Sequence, residues 1–429
     1  MQIVIKICSI IGTVLSVLMA YKVIFAIIGV FKHKTFEKAK ENHTFGICIP
    51  ARNEGVVIEN LLDSILNQSY PQDKLRIFVV ADNCTDNTAQ LVQEYKKKHN
   101  LDNLYLFEHK DSSERTKGFA LKFLFDQIKE QFGIDNVEAY FIFDADNVLN
   151  KDYIEKMNDA YDAGNKIVTS FRHSKNMNQN WISFSYAMHW MRTCMMENRA
   201  KGLLNQACRI QGTGFLFDKD LVKNGWNYTS LTEDRSFCTD AVIQNYLISY
   251  QDEAVFYDEQ PTDLKIAFRQ RIRWSKGHLQ STVENCPKLI KNMFKKDKYF
   301  FTQYDSFWTN FPNAIESACR KIITRTMQLV IAILAHSVFD LFTSLLISYA
   351  ISLAFTWAYN FLIMILVMIV YKKRVGKLPF WKTLGNMIMF PFFDIIGKWT
   401  TYIALFKKVE WKPIPHKSVV DISALETKN

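Results

Sequence analysis

The stretch YFIFDADNVL, residues 140–149, runs a block of apolar and aromatic side chains straight into Asp144 and Asp146, two carboxylates one residue apart. A carboxylate is costly to bury without a partner, so a pair placed where an apolar run emerges calls for a cation or a row of donors. Asp and Asn also favour turns, and a surface turn is the plainer reading of DADN taken alone. The flanking sequence decides between the two.

Upstream, TFGICIP (44–50) is a short apolar run closed by Pro, and GVVIENLLDSILNQ (55–68) places Val57, Leu61, Leu62 and Ile65 at helical spacing. The alternation continues: LRIFVVADN from Leu75, a capped helix in TDNTAQLVQEYKKKH, a third strand in LYLFEH, a third helix in KGFALKFLFDQI, and then AYFIFDADN. Strands that alternate with helices, each strand a continuous apolar run, predict an α/β domain with a mostly parallel sheet covered on both faces. Ligands of such sheets bind outside the carboxyl ends of the strands. The polar clusters fall there: PARNE (50–54) after the first strand, Asp82 and Asn83 after the second, Asp144 and Asp146 after the fourth. That clustering favours a functional site over turn chemistry. Neither G-x-G-x-x-G nor G-x-x-x-x-G-K-[ST] occurs, so a bound nucleotide needs its diphosphate held by a divalent cation and by Lys or Arg. Mg²⁺, which takes few protein carboxylates and fills its shell with phosphate oxygens, fits that need.

Of the 429 residues 48% are apolar, and they are unevenly spread. Residues 3–31 are almost wholly apolar apart from Lys6 and Lys22, and residues 322–371 apart from Arg325, His336 and Asp340. A membrane-spanning helix needs roughly 20 apolar residues. The first zone therefore predicts one span, and the second predicts two joined by a tight turn near Ser348. No small-residue cleavage site follows the first run, which favours an anchor over a signal peptide. Basic clusters at residues 32–34, at Arg320, Lys321 and Arg325, and at 371–374 mark the cytoplasmic side and leave residues 41–299 as a cytosolic region. The stretch 379–406 is interrupted by Pro391 and reads as a kinked span or as a re-entrant or interfacial helix pair. The formal net charge of +10 is concentrated in these flanks and in helical faces such as EYKKKHN, which points to a membrane surface and away from nucleic acid. Eight cysteines without a C-x-x-C pair support neither zinc nor a disulfide framework.

DAD (144–146), TED (232–234) and QRIRW (270–274), in that order and followed by apolar spans, resemble the processive family 2 glycosyltransferases, the cellulose, hyaluronan, chitin and poly-N-acetylglucosamine synthases. The resemblance covers about residues 44–279 and implies a GT-A fold. It implies that Asp82 contacts uracil, that Lys117 lies on the nucleotide side, and that Asp144 and Asp146 hold the nucleoside diphosphate and its Mg²⁺ or Mn²⁺. Pro50, Arg52, Glu54 and Arg273 join the nucleotide-sugar set, although Arg52 and Glu54 also suit a turn. Asp234 is implied as general base, with Glu233 beside it in the catalytic set; both also suit the first turn of a helix. Gln270, Trp274 and the GTG loop with Gly212 and Thr213 are implied to border the acceptor. His189 and Trp190 are expected on an amphipathic helix lying on the membrane.

The implied organisation is an N-terminal transmembrane helix (1–40), a cytosolic GT-A domain (41–260), a QxxRW segment with interface helices (261–321), transmembrane or re-entrant helices (322–406) and a polar tail (407–429). No RxxxR segment occurs in that tail, so cyclic-dinucleotide control is not expected. The implied activity is processive and inverting, from UDP-glucose to a β-glucan, with the product passed across the plasma membrane. Alternatives are a UDP-GlcNAc-using synthase, a non-processive transferase acting on a lipid carrier, and a receptor that binds nucleotide-sugars without turnover.

Overall fold

A computed structural model of the chain describes residues 2–334, 338–410 and 416. The apolar runs become β1 (Phe45–Ala51), β2 (Leu75–Asp82), β3 (Leu104–His109) and β4 (Ala139–Ile142). They are followed by β5 (Val148–Leu149), β6 (Ile167–Ser174), β7 (Phe215–Asp218) and β8 (Ser249–Asp258). These strands form one sheet in the order β3-β2-β1-β4-β7-β6-β8-β5.

In the first half, β1 pairs in parallel with β2 and β4, and β2 with β3, as the alternating pattern predicts. Beyond β4 the expected parallel sheet needs correction. There β7 runs antiparallel to both β4 and β6, and β5 antiparallel to β8; only the β6–β8 pair is parallel. The departure begins at the DADN turn: β5, which follows it at once, does not pair with β4 but with β8 at the other end of the strand order, and the neighbour of β4 is β7, which arrives only at residue 215.

Alternation along the strands fills two cores. Phe45, Ile47 and Ile49 of β1, Ile77 and Val79 of β2, and Phe141 of β4 pack on the face covered by the helices Ile58–Leu66, Thr88–Lys98 and Tyr153–Asp162. Cys48, Phe78, Val80, Tyr140 and Ile142 pack on the opposite face against the helix Lys117–Gln131. Both faces are dry, which is why the strands read as unbroken apolar runs.

One glycine fixes how the second face meets the site. A Cβ at Gly118 would lie 2.7 Å from the Thr229 Cα and closer still to the Tyr228 carbonyl, backbone that cannot swing away. Gly118→Ala is expected to cost about 1–3 kcal/mol, a drop of several degrees in Tm by calorimetry. An unchanged Tm would show that the Tyr228–Thr229 segment yields freely.

Two helical stretches are long and apolar enough to cross a membrane, Gln2–Phe31 and Leu341–Val370, with 11% and 22% of their most apolar windows buried, unlike core helices. Three spans were expected. The helix Asn313–Leu334 carries Glu316, Arg320, Lys321 and Arg325 and falls short of that standard. It clamps the N-terminal helix instead, Arg320 donating to the Leu15 carbonyl at 2.9 Å. Ser348 is not a turn but lies inside the continuous helix Val338–Val370. His336 and the side chain of Asp340 lie outside the described residues. Residues Phe380–Phe406 form one helix through Pro391. It rests on the helix Leu264–Met293, where Lys276 donates to the Ala404 carbonyl at 3.0 Å.

The helix Trp181–Thr193 corrects another expectation. Capped by Asn180, whose side chain accepts from the Ile182 and Ser183 amides, it buries Phe184, Tyr186, Met188, Trp190 and Met191 inside the fold and does not lie on its surface. All eight cysteines are free thiols.

Candidate active site

At the ends of β1 and β2 the chain turns sharply through Asn53 and Asn83, both with positive φ, a conformation Asn tolerates better than most residues. The turn brings Arg52 onto Asp82: the guanidinium pairs with the carboxylate, and its Nε donates to the Asp82 carbonyl at 2.9 Å. On the other side the His109 Nδ1 lies 2.9 Å from Asp82 Oδ1. Asp82 is thus a buried carboxylate already partnered by two basic groups.

At the end of β4 the DADN turn is held from below. Thr213 Oγ1 accepts from the Asp144 amide at 2.8 Å and lies 2.7 Å from Asn147 Oδ1, so Thr213 is buried beneath the turn and does not line the cavity. Gly212 does line it, and its carbonyl accepts from Lys117 Nζ at 2.9 Å. Lys117 stands at the first position of its helix, with Nζ 2.5 Å from Asp144 Oδ1 and 3.4 Å from Glu233 Oε1. Burial opposes its charge, but Asp144 and Glu233 outweigh burial and hold the ammonium above its ordinary range.

Glu233 and Asp234 open the helix Glu233–Ile243, where the helix N-terminus favours negative charge. The two differ in their engagements. Burial pushes the Glu233 carboxyl up to about 7, against the pull of Lys117. Among the described residues the Asp234 carboxylate makes no hydrogen bond or ion pair, and it lines the cavity. Arg273, on the helix Leu264–Met293, donates to the Leu231 carbonyl at 3.0 Å. Burial lowers its pKa, while Glu233, Asp234 and Asp144 act in the opposite direction. Trp274 presents its ring beside Trp190 and Tyr186, with centroids 5.6 and 5.9 Å away. The Arg172 guanidinium lies 4.0 Å from the Trp190 ring centre and pairs with Asp258. The Gln270 Oε1 has no hydrogen-bond partner among the described residues.

One cavity of about 290 Å³ joins these groups, from Pro50, Arg52, Glu54 and Asp82 through Asp144 and Asp146 to Asp234, Arg273 and Trp274. His416, which the sequence did not single out, also enters it, with Nδ1 2.8 Å from Glu54 and Nε2 4.0 Å from Asp146. Burial opposes protonation, but Asp146 and Glu54 outweigh it and hold the imidazole up to about 10, so it carries a proton at neutral pH. No local signal marks that histidine. Arg172 was detectable, since FRHS (171–174) places charge inside an apolar strand.

The carboxylate pair suits a divalent cation. Asp146 is buried and accepts from the Glu259 amide at 2.9 Å. Burial raises its pKa, but His416, Lys175 and that amide outweigh burial and keep the carboxylate ionised. No cluster of three or more His, Cys, Asp or Glu able to hold a metal occurs among the described residues. Two carboxylates on the cavity wall suit Mg²⁺ or Mn²⁺, ions that complete their shells with phosphate oxygens and water.

Residues 43–277, more than half of the chain, match the model described as glycosyltransferase-like family 2, and the protein belongs to that family. It is 24% identical over 314 residues to the probable glycosyltransferase YdaM of Bacillus subtilis, covering 67% of this chain and 69% of that one. To the poly-β-1,6-N-acetyl-D-glucosamine synthase of Staphylococcus epidermidis it is 25% identical over 232 residues, spanning about half the length of each (52%). Among solved structures, the mannosyltransferase PcManGT of Pyrobaculum calidifontis, in complex with GDP-Man and Mn²⁺, aligns with a TM-score of 0.58 over 85% of this chain and 98% of that one, at 18% identity. The fold is thus of the GT-A type, and the protein is a family 2 glycosyltransferase.

Proposed function

We propose that the protein is an inverting, processive transferase held at the plasma membrane with its catalytic domain in the cytosol. It moves a hexose from a UDP-sugar to the end of a β-linked polysaccharide and passes the product outward. The observation that carries this proposal is the Asp234 carboxylate, unengaged and lining the same cavity as the Asp144/Asp146 pair and Trp274. In the proposed reaction Asp234 takes the proton of the acceptor hydroxyl as its oxygen attacks the anomeric carbon from the face opposite the diphosphate. In the same step Arg273 and Lys117 stabilise the charge gathering on the departing UDP. A bound Mg²⁺ or Mn²⁺, held by Asp144 and Asp146, would supply Lewis-acid stabilisation of that leaving group. Glu233, tied to Lys117, acts as a positioning residue.

UDP-glucose, giving a β-glucan, is the first donor, from the resemblance to bacterial β-glucan synthases. UDP-GlcNAc is the second, favoured by the poly-N-acetylglucosamine synthase among the relatives. A panel of radiolabelled UDP-sugars on the full-length protein, with product length read by gel filtration, tests both donor and processivity. Label in a polymer from one donor supports the proposal; binding of every donor without UDP release would make the protein a receptor.

Trp274 tests the polymerase half. If its ring holds the terminal sugar of the chain, Trp274→Ala loses stacking on the order of 1 kcal/mol, and product length shortens while UDP binding holds. Polymer of normal length at a normal rate would leave Trp274 as packing for Tyr186 and Trp190.

A further inference from the structure

The helix Leu264–Met293, which carries QRIRW, has Gly277 well inside its 30 residues. Glycine is a poorer helix former than alanine, so a glycine in the middle of a long helix calls for a packing reason. The reason is Thr232. A Cβ at Gly277 would lie 2.5 Å from Thr232 Oγ1, 2.7 Å from its Cγ2 and 3.0 Å from its Cβ. A β-branched side chain has no free end to swing aside, because turning χ1 exchanges one of these atoms for another and leaves the Cβ where it is. An added methyl group must therefore move the Thr232 backbone.

Thr232 is the N-cap residue of the helix Glu233–Ile243, two positions before Asp234. Its hydroxyl is buried and has no hydrogen-bond partner among the described residues, so packing and not a cap bond holds the side chain. Helical spacing sets Gln270, Trp274, Gly277 and Ser281 along one stripe. At its upper end Gln270, Arg273 and Trp274 line the cavity, and Arg273 donates to the Leu231 carbonyl, next to Thr232, at 3.0 Å. One turn beyond Gly277 the Ser281 hydroxyl donates to Asn310 Oδ1 at 3.2 Å, and Asn310 Nδ2 donates to Thr239 Oγ1 at 3.0 Å. The segment that carries Asp234 is thus gripped at Leu231, at Thr232 and, through Asn310, at Thr239 by the helix that supplies Arg273 and Trp274. None of these contacts is made by the Asp234 carboxylate, so the position of its helix is what aims it.

We propose that Gly277 is a positioning residue: its bare Cα seats Thr232, and that contact sets Asp234 in register with Arg273 and Trp274. This rests on the transferase function proposed above and names what holds its base against its acceptor wall.

The test is a double-mutant cycle on the full-length protein in nanodiscs, with UDP release, UDP binding and Tm read on each variant. Gly277→Ala is expected to lower kcat about tenfold or more, because a small misplacement of the base is enough to do so. KM for the UDP-sugar and UDP affinity are expected to stay within about twofold, since the strand ends that carry Asp82, Asp144 and Asp146 are untouched. Thr232→Ala clears both Oγ1 and Cγ2, and in that background Gly277→Ala is expected to cost less than about threefold. Thr232→Ser, which keeps the hydroxyl and drops Cγ2, is expected to fall between, and it carries the same comparison where an alanine variant does not fold. A wild-type kcat in Gly277→Ala, or an equal loss with Thr232 already truncated, would overturn the role. So would a kcat that simply follows Tm across the cycle, as a contact serving stability alone would give. UDP release by wild type separates the two proposals: its absence would sink the transferase function and this role together, whereas release that Gly277→Ala leaves intact sinks this role alone.

Discussion

Asp234→Asn is expected to lower turnover by roughly 10²-fold or more while UDP affinity stays within about twofold. The substitution keeps the size of the side chain and removes its negative charge and its ability to accept a proton. Glu233 is a poor substitute, because it is tied to Lys117 at 3.4 Å and burial holds its carboxyl up to about 7. Among the described residues Asp234 is tied to no such partner, and it lines the cavity. Measured UDP release and UDP binding should therefore separate cleanly in this variant. Loss of UDP binding with high residual turnover would make Asp234 a structural element of its helix N-terminus.

Chelation is expected to have an effect of similar size. Among the described residues the cavity holds no phosphate-cradling glycine loop, and the cations around the Asp144/Asp146 pair already have acidic partners: Lys117 faces Asp144 and Glu233, Arg52 pairs with Asp82, and His416 pairs with Glu54. Two further negative charges on a diphosphate need a divalent cation in the same space. EDTA should stop UDP release from the wild-type protein, and added Mg²⁺ or Mn²⁺ should restore it. Full activity in the chelator would remove the proposed metal role of Asp144 and Asp146.

The parallel half of the sheet was legible because each strand is buried on both faces, and its polar residues stand only at the carboxyl ends. Asp82, Asp144 and Asp146 could be placed on one edge from that pattern alone. The antiparallel half was not legible, since β5 has two residues and the order β7-β6-β8 depends on long-range pairing that leaves no periodic trace. The apolar helices show the same limit. Composition identified the apolar zones, but the charged helix Asn313–Leu334 and the continuity through Ser348 follow from packing and helix geometry.

Within the site, residues next to a motif were found and residues brought in from a distance were not. Lys117, Gly212, Asp234, Arg273 and Trp274 meet in one cavity as the ordered motifs implied. Thr213 shares that sequence neighbourhood yet points beneath the DADN turn, because its hydroxyl satisfies the Asp144 amide. His416 reaches Glu54 from 362 positions away. Burial of charge singles out such residues only once the fold is known.

The most direct test of the central proposal is the anomeric configuration of the first product bond, read by proton NMR after incubation of the full-length protein with the active UDP-sugar. Single displacement with Asp234 as base predicts a β-linkage from the α-configured donor, with one UDP released per bond. An α-linked product, or sugar transfer that persists at full rate in Asp234→Asn, would contradict it.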